Sequence, residues 1–200
     1  MKILAAADIH GDTRLVERLA EQAAKEDVDL VILAGDLFTD DMHTENIIGP
    51  FVEKGKRVVL IPGNHESEAT TDFVSKRYDA VNLHGYSIRS DDIGFFGCSA
   101  TNIGPHRLDD TEVEEMLKRG FEYIKDTKRK VMVTHVHPTH SMMEGFTDFV
   151  HGSSAVEKMI RELKPDLFIC GHVHEASGIE ERLADTRIVN VARTGKIIEL

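Results

Sequence analysis

Two hundred residues, 41% hydrophobic and 30% charged, fit one soluble globular domain over 1–200 and leave little chain for a second or for a cap domain. No apolar run approaches the ~20 residues of a membrane span. The net charge of −11, from 24 Lys and Arg against 35 Asp and Glu, repels polyanions and counts against nucleic acid bound through a basic surface.

The chain opens on an apolar run at residues 2–7, which reads as a core strand and not a secretory signal, because Asp8 and His10 interrupt it. A helix starts at Asp12 or Thr13, either of which can cap it, and buries Leu15, Val16, Leu19, Ala20 and Ala23. A buried strand follows at 28–34, a short helix at 44–53, a third strand at 57–61 and a short helix at 70–76. Segments 87–89 and 93–99 read as antiparallel strands. Thr111-x-x-Glu114 forms a capping box for a helix carrying Val113, Met116, Leu117, Phe121 and Ile124. A strand at 130–134 leads to a second such box, Ser154-x-x-Glu157, ahead of Val156, Met159, Ile160 and Leu163; Lys164-Pro165 ends that helix. Strand 166–170 completes the buried set, and 187–191 and 196–199 read as further antiparallel strands. Cys98 and Cys170 fall in apolar runs and read as buried, reduced thiols of a cytoplasmic protein; alternation along the strand points Cys170 away from His172.

Chemistry-bearing residues gather where the apolar runs end: Asp8-Ile9-His10, Gly35-Asp36, Gly63-Asn64-His65-Glu66, His135 and Gly171-His172-Val173-His174. Strands alternating with helices imply an open α/β sheet, whose ligands bind beyond the carboxyl ends of its strands, so these residues share one edge. Each motif alone has a bland reading: Asp36 can cap a helix, and Pro62-Gly63-Asn64 is turn-forming. Together they assemble carboxylate, amide and imidazole donors suited to Mn, Fe, Zn, Ni or Co. A carboxylate that ends an apolar strand, as Asp36 does, needs a cation or several donors to offset its desolvation.

In this order the motifs resemble those of the calcineurin-like metallophosphoesterase superfamily, over residues 8–174. The resemblance implies an α/β fold, a four-layer αββα sandwich of two mixed sheets flanked by helices, around two divalent metal ions. Asp8, His10, Asp36 and His174 would hold one ion, and Asp36, Asn64, His135 and His172 the other. A hydroxide shared by the ions would attack phosphorus while His65 protonates the leaving alkoxide, without a phosphoenzyme. Serine/threonine protein phosphatases carry an Asp three residues after the bridging Asp, then an Arg; here Thr39 stands there, followed by Asp40 and Asp41, which argues against protein phosphatase activity. Thr39 and Asp40 are the candidates for orienting His65. Asn190-Val191-Ala192-Arg193 replaces the family's Asn-Pro-Gly-Ser turn, and Arg193 is expected on the surface. His137 and His140 are candidates for lining the substrate cleft, whereas His84 and His106 suggest no role. The expected activity is hydrolysis of a small phosphorylated substrate, a phosphodiester before a monoester. The alternatives are a nuclease, since Gly35-Asp36-Leu37-Phe38 is shared with repair nucleases, and a catalytically silent metal-binding scaffold. Self-association stays open.

Overall fold

The computed structural model describes residues 1–200 as eleven strands and five α-helices. The elements run β1 (Lys2–Ala6), α1 (Thr13–Lys25), β2 (Leu30–Ala34), α2 (Gly49–Glu53), β3 (Arg57–Ile61), α3 (Glu68–Arg77), β4 (Val81–Asn82), β5 (Tyr86–Ser90) and β6 (Ile93–Cys98). Then come α4 (Asp110–Glu122), β7 (Arg129–Thr134), α5 (Ser154–Leu163), β8 (Leu167–Cys170), β9 (Glu180–Leu183), β10 (Thr186–Asn190) and β11 (Lys196–Glu199). One sheet has the order β11-β1-β2-β3-β4, the other β5-β6-β7-β8-β10-β9.

Strand alternation explains the four layers. In β1, Leu4 and Ala6 face α1 with Leu15, Val16 and Leu19, while Ile3 and Ala5 face the second sheet with Val131, Val133 and Ile169. In the second sheet Phe96, Met132 and Phe168 turn outward onto Val113 and Leu117 of α4 and Met159 and Ile160 of α5. A strand covered on both faces reads as a continuous apolar run, which is why these were the easiest elements to find. No helix is long and apolar enough to cross a membrane. Both cysteines are free and buried, and burial pushes the Cys98 thiol up to about 12.

Local details differ from the sequence reading. Asp12 caps α1 as expected, accepting from the Leu15 amide at 2.9 Å. The box on α4 lies two residues earlier, where Asp109 and Glu112 satisfy each other's amides at 2.9 Å. Ser153, not Ser154, caps α5, and Glu157 instead receives Thr139, His140 and Arg161. β6 pairs antiparallel only with β5 and runs parallel to β7; β10 is parallel to β8 and antiparallel to β9. Both were expected to be antiparallel, and β4 and β9 were not found at all.

Candidate metal centre

The loops that leave the carboxyl ends of β1, β2, β3, β7 and β8 converge, and backbone pairing continues into them. The Asp8 amide donates to Gly35 O at 3.0 Å, His10 to Asp36 O at 2.9 Å, and Gly171 to His135 O at 3.0 Å. Asp8, His10, Asp36 and His172 all adopt left-handed backbone, with φ of 55°, 49°, 50° and 70°. Such conformations are sparse for residues with a Cβ and collect where the surroundings over-determine them. Two glycines make the convergence steric. A Cβ on Gly63 would strike Asp36 Oδ1, and one on Gly171 would strike Asp8 Oδ2.

The donors fall into two overlapping clusters. In the first, His174 Nε2 lies 3.2 Å from Asp8 Oδ1 and 3.3 Å from His10 Nε2. In the second, His135 Nε2 lies 3.1 Å from His172 Nδ1, 3.2 Å from Asn64 Oδ1 and 3.3 Å from Asp36 Oδ2. Asp36 Oδ2 is also 3.8 Å from His10 Nε2 and thus reaches both. Every residue expected to hold metal is therefore here, with His65 beside them, its ring 4.7 Å from that of His10.

Outer contacts aim these donors. Each carboxylate divides its oxygens: Asp36 Oδ1 accepts the Asn64 and His65 amides at 2.7 and 3.1 Å, and Asp8 Oδ2 accepts the His172 amide at 2.9 Å. His135 Nδ1 faces the Ala34 carbonyl at 2.9 Å, which places its proton there and leaves Nε2 as the donor to an ion. Burial alone would raise the Asp36 carboxyl, but His135 and His65 outweigh it and hold the group well below the usual carboxylate range. Burial depresses the imidazole of His135, yet Asp36 and Asp8 overcome this and raise it to about 10; His172, also buried, is pushed down to about 3 by burial and by His135. These are the signs of a nest of opposed charges. The donor set fits divalent ions with mixed oxygen and imidazole preference, and three groups of side chains lie close enough to hold one.

Several expectations change here. Arg193 is half-buried at the centre and donates from Nη1 to Asp8 O at 2.9 Å; it does not project from the surface. Asp40 pairs with His43 at 2.8 Å, whereas the Thr39 carbonyl lies 3.5 Å from His65 Nδ1. His137 is fully buried, with burial holding its imidazole down at about 4, so it does not line an open cleft; exposed His140 pairs with Glu157 at 2.9 Å. His84 is structural, its Nδ1 accepting the Ser99 amide at 3.0 Å.

Glu66 was passed over. It is fully buried, and its Oε1 accepts the amides of Leu37 and Gly63, each at 3.1 Å. It thereby ties the residue after Asp36 to the residue before Asn64. Burial first and Asp36 second raise its carboxyl to about 8. Replacing Glu66 by Ala strands two buried donors, at ~1–3 kcal/mol each. For a chain of this size melting should fall by roughly 4 °C or more, and metal affinity by about 10- to 100-fold, as for other supports of metal ligands. Glu66→Gln, which retains the acceptor, should recover most of both in calorimetry.

A family profile of calcineurin-like phosphoesterases matches residues 1–176. The chain belongs to the calcineurin-like phosphoesterase family. No curated protein sequence matches it. Among solved structures, a Thermus thermophilus protein is similar at 19% identity and TM-score 0.76, covering 94% of this chain and 88% of that one. A dimetal phosphatase from Danio rerio is similar at 14% identity and TM-score 0.65, covering 95% and 86%. An archaeal phosphodiesterase is similar at 18% identity and TM-score 0.54, covering 95% and 82%. At these identities the likeness establishes the fold, with its two mixed sheets flanked by helices. A cavity of about 510 Å³ lies between β5 and α4 and touches none of the donors. Asp8, Asp36, His135 and His172 are buried at the sheet edge, while His65 and His174 beside them are exposed.

Proposed function

We propose that the chain is a dinuclear metal-dependent phosphoesterase that hydrolyses phosphodiesters in preference to monoesters. The observation that carries this reading is Asp36, whose Oδ2 stands within reach of both donor clusters, with His65 Nε2 3.9 Å away on the solvent side. Asp8, His10, His174 and Asp36 would hold one ion; Asp36, Asn64, His135 and His172 the other. Bound there, the ions would supply a water acidic enough to ionise near neutral pH and positive charge against the phosphoryl oxygens.

The rest falls to the protein. The Thr39 carbonyl accepts only from an N–H, so it favours a proton on His65 Nδ1; the doubly protonated ring then has Nε2–H free to protonate the leaving ester oxygen. Water would be the nucleophile; both cysteines lie buried in the core and are not available for attack. The preference for diesters follows from access. His65 and His174 are both exposed, so along this edge a groove is left through which a phosphoryl group can enter with two ester arms attached.

The nuclease alternative rests on Gly35-Asp36-Leu37-Phe38, but Leu37 and Phe38 pack in the core beneath α1, which accounts for them without DNA. A silent scaffold would not need eight intact donors and acids. The test is to strip the protein with chelator, restore Mn²⁺, Ni²⁺ or Co²⁺, and assay a chromogenic diester, a monoester and single-stranded DNA. Diester turnover that chelator abolishes is expected, with a melting temperature that rises by several degrees on reloading, since an ion at about 100 times its Kd stabilises by ~2.7 kcal/mol. No turnover of any substrate with any metal would sink the proposal.

A further inference from the structure

Met42, Ile103, Met142, Phe146 and Phe149 are five of the ten large apolar side chains left exposed, with Phe149 at 89% and Met42 at 82%. All five lie on segments tied to those that carry the donors. Ile103 precedes Gly104, where a Cβ would sit 3.6 Å from that of Asn64. Asn102 Nδ2 donates to His151 O at 2.8 Å, drawing the segment with Phe149 onto the same loop. Met42 follows Asp41, whose Oδ1 accepts the Ser67 amide at 2.8 Å, two residues past His65. Met142 and Phe146 belong to a short 3-10 helix, Met142–Phe146, that packs against the turn beginning at His174.

Single exposed apolar residues need no explanation, but a group surrounding a site does. The charge of these loops narrows what they face. Residues 37–48, 99–108 and 136–153 contain Asp40, Asp41, Glu45, Glu144 and Asp148 against Arg107 alone. A second phosphate or a polyanion would find Arg107 as the one arginine or lysine on these loops. A macromolecule seated on the rim would cover the groove through which the phosphoryl group enters.

We propose that this rim receives an apolar arm of the substrate, so that the substrate is a singly anionic phosphodiester bearing an alkyl, acyl or aryl group. This rests on the phosphoesterase reading. With the Mn²⁺-loaded protein, two series separate the claims: methyl, butyl and octyl 4-nitrophenyl phosphates for turnover, and the dimethylphosphinate, butyl(methyl)phosphinate and methyl(octyl)phosphinate anions, whose two P–C bonds cannot be hydrolysed, for calorimetric binding. A fully buried methylene is worth about fourfold; partial burial of the octyl chain should raise both kcat/KM and affinity at least roughly tenfold over methyl. The double variant Ile103→Ser, Phe149→Ser should bring both ratios to within about twofold, whereas Phe73→Ser, exposed on α3, should keep the wild-type ratios.

Turnover with both series flat would overturn this inference alone. Phosphinate affinity that climbs with chain length without turnover of any ester would support the rim and overturn the phosphoesterase reading. A dimer in sedimentation that dissociates on Phe149→Ser would overturn it in favour of self-association.

Discussion

Replacing His65 by Asn should leave both metals in place and reduce kcat for a phosphodiester by roughly 10²- to 10⁴-fold, the range for losing a positioned proton donor. Under the proposed function the side chain is assigned to neither ion: its Nε2 is 3.9 Å from Asp36 Oδ2, in a third group with His10 and Asp36, and the Thr39 carbonyl lies 3.5 Å from its other nitrogen. Its amide, which Asp36 Oδ1 uses, is retained in the variant. Metal content measured by elemental analysis should therefore match wild type. The loss should also be largest for alkyl leaving groups and smallest for 4-nitrophenolate, which needs little protonation. Equal loss across leaving groups would show His65 acting on the phosphoryl charge and not as an acid.

Asp36→Asn should do more damage, because one side chain serves both clusters. Its Oδ2 stands 3.3 Å from His135 Nε2 and 3.8 Å from His10 Nε2, and an amide there removes a negative charge from each set. After loading and desalting, His174→Ala should retain roughly half the wild-type metal, whereas Asp36→Asn should retain less than that, since a neutral amide is a poorer ligand for such ions than a carboxylate. Activity should fall below that of the His65 variant. If Asp36→Asn and His174→Ala lose equal metal, Asp36 serves only one cluster.

Much of this was legible in the sequence because it depends on short spacings. Val31-Ile32-Leu33-Ala34 announces a strand covered on both faces, and Gly35-Asp36 announces what its end carries. The resemblance then ordered the motifs, and the fold came out as it implied. What was not legible depends on distant partners. Nothing near Glu66 reveals that it accepts the Leu37 amide, 29 residues away. Nothing near Arg193 reveals its contact with the Asp8 carbonyl, 185 residues away. The antiparallel pairing of β6 with β5 and of β10 with β9 fits the sequence reading. Their parallel pairing with β7 and β8 was not legible for the same reason, since a strand's neighbours are set by topology and not by its own residues. The capping residues of α4 and α5 failed differently: Asp109 and Ser153 compete with equally good residues beside them, and tertiary placement chose.

The left-handed backbone at Asp8, His10, Asp36 and His172 bears on how the protein would discriminate among cations. Those conformations are held by amide-to-carbonyl bonds between loops and by Glu66, all of them contacts the chain makes with itself. Ordering such a segment costs ~1–2 kcal/mol per residue, and here folding has already met it. A cation would then enter a socket of fixed bite, which cannot shrink around a small ion or relax around a large one. Preference among cations would follow from radius and exchange rate, and Ca²⁺, which favours roomier and more numerous oxygen donors, would be turned away by shape.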